Sequence, residues 1–480
     1  MYKKIIIVML IVLGAFTTFF LYRTYAYDTS VVEDTPTSTD KAYTFKIGNS
    51  SIKQIQVDAG ETKYFDIVLS NPNNAKISYS IYYEMVSPTT KPDGFSIWYT
   101  SKSTGDSTGK VDKNGNITLA IEISNTSSSA VTVKIGSVAG YVNGGKLTLG
   151  SGQVVIPNAP NFVEKLDDGS TGDSGSGVYK VEHSAIASSN SATGSEIPAV
   201  TDYRYYGADP NNYICLDKEG QSTCPDRGLF RIIGSIYEEN AGKNLLKVIK
   251  ATPLTDGTTS TFSWDYKVTN GSGSYNNVWS STTSGTSSGS SLMQLLNGIY
   301  LTGGAGDYYN NSTTATTINF GSMGLTKATQ NLMYIGEGNN LSKYYLGGYE
   351  DGELKTNDIY LAERGKTTSS GNALYWDGKV GLMYSSDYGY AAGYTCATNT
   401  SPYNYDSGCR TKDWLYRKGN IDWTMTPYSA DARSVWYVYN GYVGNRNSYY
   451  LYASRPVFYL KSSVSISSGT GTSTDPYIVS

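Results

Sequence analysis

The sequence predicts a mainly β chain, and three observations carry that prediction. Gly and Tyr are abundant, at 51 and 44 of 480 residues, whereas charged residues make up only 16%. Tyr and Thr pack well on pleated surfaces, while Gly, Asn and Ser accept turn conformations, so the composition suits short strands joined by many turns. Apolar residues recur with period two, as in Ile117, Leu119, Ile121 and Ile123, which buries one face of a strand and wets the other. Turn clusters such as Asn71-Pro72-Asn73-Asn74 and Lys113-Asn114-Gly115-Asn116 separate these runs at the spacing of a β-sandwich. At this length two folded units plus linkers are expected.

The chain opens with Lys3 and Lys4 before an apolar run from Ile5 to Leu21. Positive charge ahead of the run holds the N-terminus inside, so the chain beyond Leu21 is expected outside the cytoplasm. Residues 1–27 are read as a signal peptide or a membrane anchor. Tyr22, Arg23 and Tyr25 suit an interface and an uncleaved span, whereas Thr24-Tyr25-Ala26 suits cleavage before Tyr27, and the two fates stay open.

Residues 43–157 read as one Ig-like β-sandwich. Its alternating runs are Phe65, Ile67 and Leu69; Ile77, Tyr79, Ile81 and Tyr83; Ile117 to Ile123; and Val131, Val133 and Ile135. Nothing in it suggests chemistry, and a spacer role is expected. Residues 158–200 are Gly, Ser and Asp rich, too poor in apolar side chains to offset conformational entropy, and read as a flexible linker. The Asp residues there lack the closing Glu of a calcium loop, so no metal site is expected.

The second unit is expected over residues 201–480 as α+β with strands in the majority. Tyr203 to Gly207, Leu229 to Gly234, Leu245 to Lys250 and Val380 to Tyr384 read as strands. Ser291 with Gln294 forms the pattern of a capping box, Leu292, Leu295, Leu296 and Ile299 share a helical face, and Asn297-Gly298 invites termination.

Cys215 and Cys224, and likewise Cys396 and Cys409, lie close in sequence. In an exported chain this reads as two short disulfides, although sequence spacing also allows four free thiols. The net charge is only -3 and no basic stripe appears, so a nucleic-acid partner is not expected. The single His, His183, reads as a solvated linker residue. One imidazole does not furnish a multi-histidine zinc site or a well-placed Ser-His-Asp triad.

Near the end lies a segment of different character. Tyr437, Tyr439, Asn440, Tyr442, Asn445, Arg446, Asn447, Tyr449, Tyr450 and Tyr452 crowd between the apolar residues Trp436, Val438, Val443, Pro456 and Val457. Tyr gives large rigid contact area with a polar tip and Asn gives donor and acceptor together, which is the chemistry of binding loops. From Tyr437 to Leu460 there is no His, Cys, Glu or Lys, so recognition rather than catalysis is expected.

The order of Trp279, Ser291-Leu292-Met293-Gln294-Leu295-Leu296-Asn297-Gly298, Gly381 to Ala391, Asp422-Trp423-Thr424-Met425-Thr426-Pro427, Val435 to Val438 and Arg455-Pro456-Val457 resembles a domain of bacterial surface proteins of gut Firmicutes. That domain of unknown function is similar to the C-type-lectin-like fold of the formylglycine-generating-enzyme group. The resemblance covers roughly the last 280 residues, the extent of one domain or slightly more. It implies a C-type-lectin-like unit whose surface from Tyr437 through Tyr452 carries ligand. The catalytic branch of that group holds copper on a close Cys pair near its C-terminus. Here Cys396 and Cys409 are split by the loop Ser-Pro-Tyr-Asn-Tyr-Asp and no later Cys exists, so neither a cofactor nor oxidase activity is expected.

The function expected is an adhesin-like protein, anchored or secreted, that binds an extracellular glycan or protein and is not an enzyme. An alternative is a carbohydrate hydrolase using Glu350, Asp351, Glu353 and Asp358, since such chemistry needs two carboxyl groups roughly 5–10 Å apart. Another is a structural subunit that assembles through exposed strand edges.

Overall fold

The computed structural model describes residues 44–47, 54–72, 76–99, 108–141, 149–156, 161–167, 169–218, 220–334, 341–369 and 371–479. Residues 1–27, expected to be a signal peptide or membrane anchor, lie outside the described residues. Among those described, no helix is long and apolar enough to cross a membrane. The chain divides into two compact units at residues 159 and 160, and both are dominated by strands.

The first unit pairs two antiparallel sheets. One runs Thr44–Ile47, Glu61–Ser70, Asn116–Asn125 and Phe95–Tyr99 in spatial order. The other runs Gln54–Val57, Val131–Tyr141, Ile77–Ser87 and Thr108–Val111, with Val154–Val155 added beside Ile77–Ser87. The alternation read from the sequence becomes the inner layer: Ile67, Leu69, Ile81, Leu119, Ile121, Ile123, Val131, Val133 and Ile135 are all fully buried in one cluster. Asn125 ties a corner together, because its amide donates to the carbonyls of Val57 and Ser129 at 2.9 Å each. A buried amide with its partners satisfied costs little and fixes the turn geometry.

In the second unit an eight-stranded mixed sheet includes Val200–Tyr206, Leu229–Glu238, Lys243–Lys250 and Val457–Tyr459. Around it lie short helices and small sheets. The helix at Ser291–Leu295 begins one residue earlier than its capping pattern suggests, with Ser290 accepting from the Met293 amide at 3.2 Å. Ser291 is unavailable as the cap because its hydroxyl donates to Asp265 and accepts from the Tyr266 amide. Asn297-Gly298 does not end this helix. Asn297 clamps the Val380 backbone in both directions, at 2.8 and 3.0 Å, and the chain continues as a wider π turn over Leu296–Tyr300. Val380 to Tyr384 is not a strand; only Gly381 bridges to Val457 before the helix Ser385–Ala391 begins.

The expectation of a flexible linker over 158–200 is corrected. Gly177–His183 pairs antiparallel with Val200–Tyr206 along its full length, and Val163 and Val178 enter the core. The intervening loop is tied down as well, since Tyr206 donates to the Ser174 carbonyl at 3.0 Å and the Tyr394 amide donates to Gly172 at 3.1 Å. Low average hydrophobicity concealed a seven-residue strand that needs only a few apolar positions to seat itself on a larger sheet. The second unit therefore starts near residue 160 rather than 201.

Candidate functional site

The Tyr-rich segment folds as a hairpin of Ser434–Tyr439 and Tyr442–Asn447, with Ile421–Pro427 on its other side. Asn440 and Gly441 form the turn with φ of 49° and 86°, the positive pair that a two-residue connection between right-twisted strands requires. Gly441 also lies against Arg410, where an added Cβ would approach that side chain to 2.4 Å.

Strand register sorts the side chains. Tyr437 faces Gly444 and Trp423 across the sheet, and Tyr439 faces Tyr442 and Ile421, so these share one face. Gly444 makes room for the Tyr437 ring, whose hydroxyl would stand 3.0 Å from a Cβ there. On the opposite face Trp436 is 1% exposed, stacks on Tyr349 at 4.3 Å and donates to the Tyr349 carbonyl at 3.0 Å. Val438, Val443, Pro456 and Val457 are buried as well. Asn445 pairs with Trp436 and Asn447 with Ser434, which puts both amides on the side away from Tyr437.

The rings form a continuous row. Centroid separations are 5.8 Å from Tyr442 to Tyr439, 6.4 Å to Tyr437 and 5.4 Å on to Tyr452. The row continues 5.9 Å to Tyr450 and 4.6 Å to Tyr449, and Tyr275 closes it 4.6 Å further on. Trp423 is the floor, 4.7 Å from Tyr452, with its indole donating to the Phe262 carbonyl at 2.9 Å. Exposure grades along the row. Tyr437 is 6% exposed, Tyr439, Tyr442, Tyr449 and Tyr452 are half-buried, and Tyr450 is 40% exposed. Tyr437 is thus a buried member of the ridge, covered because Trp423 and Tyr452 crowd its ring. Burial pushes the phenols of Tyr437 and Tyr452 up, and the Tyr449 hydroxyl beside Tyr450 raises that phenol, so each keeps its proton at neutral pH. Arg446 is exposed on the same face. Tyr275 is the member the sequence reading missed, because only the folded chain brings it to Tyr449.

Glu350, Asp351, Glu353 and Asp358 are all exposed. Asp351 accepts from the Glu353 amide at 2.8 Å and Glu353 from the Asn404 side chain at 2.9 Å. The disulfides join Cys215 to Cys224 and Cys396 to Cys409. Among the described residues no three of His, Cys, Asp and Glu gather in a way that would hold a metal ion.

A cluster that sequence reasoning did not find lies beneath the large sheet. His183 is 4% exposed, not solvated, and its imidazole lies flat on Tyr360 at 3.7 Å. Its Nε2 is 3.0 Å from Asp202, which also takes the Arg204 guanidinium at 2.7 Å. Arg204 reaches on to Asp387 at 3.0 Å, and Lys247 meets the other oxygen of Asp387 at 2.5 Å. Burial opposes ionisation of both Asp carboxyls, but Arg204 with His183 holds Asp202 below the usual carboxylate range, and Lys247 with Arg204 does the same for Asp387. Burial keeps His183 below its ordinary value. A pattern of Asp202 and Arg204 two apart on a strand is the one local signal. The second carboxylate on Arg204, that of Asp387, stands 183 residues away in the chain. A buried network of this kind fixes the relative placement of elements that share it.

No family model matches the chain, and no curated protein matches it. Among solved structures, the ASH / PapD-like domain of human CEP192, its PapD-like domain 7, is similar at 14% identity over 25% of this chain and 99% of that domain, with a TM-score of 0.14. A likeness at that level carries no argument about the fold or function of either unit.

Proposed function

We propose that this chain is an exported binding protein whose second unit grips an extracellular glycan or protein without transforming it. In this reading residues 1–27 direct export or anchor the chain, an Ig-like first unit spaces the second from the cell, and the second unit is a C-type-lectin-like domain of the surface-protein type. The two disulfides support an oxidising, extracytoplasmic setting. The observation that carries the reading is the uninterrupted row of phenol rings from Tyr442 to Tyr275, backed by Trp423 and including the open ring of Tyr450. Half-buried phenol rings stack on apolar sugar faces and their hydroxyls pair with those of the sugar, and a framework already ordered before binding loses little entropy.

The test is a glycan and protein array probed with the full chain and with a Tyr449→Ala/Tyr450→Ala variant. Both rings are at the accessible end, so the fold is expected to persist. Binding by the parent and at least about a tenfold loss in the variant are expected, because hot spots concentrate in a few aromatic side chains. Equal binding by both proteins would sink the reading.

A further inference from the structure

The ridge has a charge character that its rings alone do not give. Arg446 stands opposite Val435 in the hairpin register, on the face of Tyr437 and Tyr439, and is exposed. It stands diagonal to Tyr437 across the hairpin, and against the upward push of burial its positive charge pulls the phenols of Tyr437 and Tyr452 down. The acids of neighbouring strands and turns are committed elsewhere. Asp422 takes Arg417 at 2.6 Å and Arg455 at 3.3 Å, while Asp431 takes the Ser434 hydroxyl at 2.9 Å and Arg433 at 3.4 Å. Among the described residues Arg446 forms no ion pair with a carboxylate.

A guanidinium carries only N–H donors. A phenol beside it turns its oxygen lone pairs toward the cation, so its own O–H points away and becomes a donor to whatever lies above. Tyr452 and Arg446 are therefore both donors on the open side of the ridge, with no acid paired to the guanidinium and Tyr437 as buried backing. Such a set rejects a ligand that presents only donors and rewards one that presents anionic oxygens, and the flat Arg fork suits a two-oxygen contact.

We propose that the ligand of the ridge is an acidic polysaccharide, with a carboxylate or sulfate held by Arg446 beside the Tyr452 hydroxyl and sugar rings laid toward Tyr449 and Tyr450. This rests on the binding reading above and narrows its ligand class. The whole chain carries a net charge of -3, so a polyanion gains nothing from the protein at large and must be recognised locally.

The experiment measures retention of the full chain on immobilised polygalacturonate, dextran sulfate and neutral dextran at one fixed ionic strength. The expected result is binding at least about tenfold tighter to one acidic polymer than to dextran, a preference lost in Arg446→Gln, weakened in Arg446→Lys and untouched by Lys63→Gln in the first unit. Preference for polygalacturonate identifies a carboxylate and preference for dextran sulfate a sulfate. Equal retention on acidic and neutral polymers, retention on none of them, or a preference that survives Arg446→Gln overturns the proposal. If the Tyr449→Ala/Tyr450→Ala variant still loses its array ligand in that case, the binding reading stands and only the acidic ligand fails; if it loses nothing, both fail.

Discussion

In the first unit two sheets meet through Ile67, Leu69, Leu119, Ile121, Val133 and Ile135, and the buried polar side chains among its described residues are Asn71, Ser80 and Asn125, all uncharged. The second unit instead encloses Asp202, Arg204, Lys247, Glu363, Arg364, Asp387, Asp413 and Arg455, each at most 5% exposed. Apolar burial is non-directional and additive over neighbours, so a sandwich needs no particular distant pairing and its pattern repeats along the chain. Buried ions carry a desolvation cost that only well-placed partners offset, so the second unit depends on a few long-range pairings. One unit is specified by periodicity and the other by encounter.

The sharpest way to break this contrast is Asp387→Ala. It leaves Lys247 and the Arg204 Nη1 without their carboxylate and removes the acceptor of the Tyr384 amide at 2.9 Å. A loss of about 3–5 kcal/mol is expected for the second unit, since an uncompensated charge remains buried. Hydrogen exchange resolved by peptide checks it: protection should fall throughout residues 160–480 and hold in the sandwich. A uniform loss in both units would contradict the division.

Leu119→Ala tests the other side. Leu119 is fully buried at the centre of the sandwich, and its truncation is expected to cost about 2–5 kcal/mol by transfer and cavity terms. Urea unfolding with the same exchange readout should show the loss in the first unit alone.

The smallest effect belongs to Asp413→Asn, and its sign depends on pH. Burial, resisted by the Leu415 amide and Arg455, pushes the Asp413 carboxyl well above its ordinary value, and its Oδ2 has no partner. The folded state thus holds a proton that the unfolded chain releases near pH 3.8, so this residue's stability is full below that pH and erodes as pH rises. Asn can keep the bond from the Leu415 amide at 2.8 Å and does not titrate. A gain on the order of 1 kcal/mol is expected at about pH 8 and none near about pH 4. A melting series across that range decides it; an equal shift at both ends would show that titration is not the cause.

Much of the first unit was readable because alternation is local. Ile77, Tyr79 and Ile81 announce a strand wherever they occur, and the turn at Asn114, with φ of 53°, announces its end. The shared face of Tyr437 and Tyr439 was readable for the same reason, whereas the hairpin turn at Asn440 and Gly441 was not anticipated. The strand Gly177–His183 was not, because its Gly and Ser neighbours mask three seated side chains. His183 was misplaced because the rings that bury it, Tyr360 and Tyr390, lie far downstream in the chain.

Side-chain type and spacing within a few residues were enough for the β character, the two short cysteine pairs as candidates for bonding and the shared face of Tyr437 and Tyr439. Which phenols stay open came from folding alone. Tyr437 and Tyr450 are the same residue type in one short stretch of chain, yet one lies under Tyr452 beside Trp423 and the other meets solvent. Exposure belongs to a residue's neighbours in space, here rings on the adjoining strand and beyond the hairpin that meet only when the chain folds.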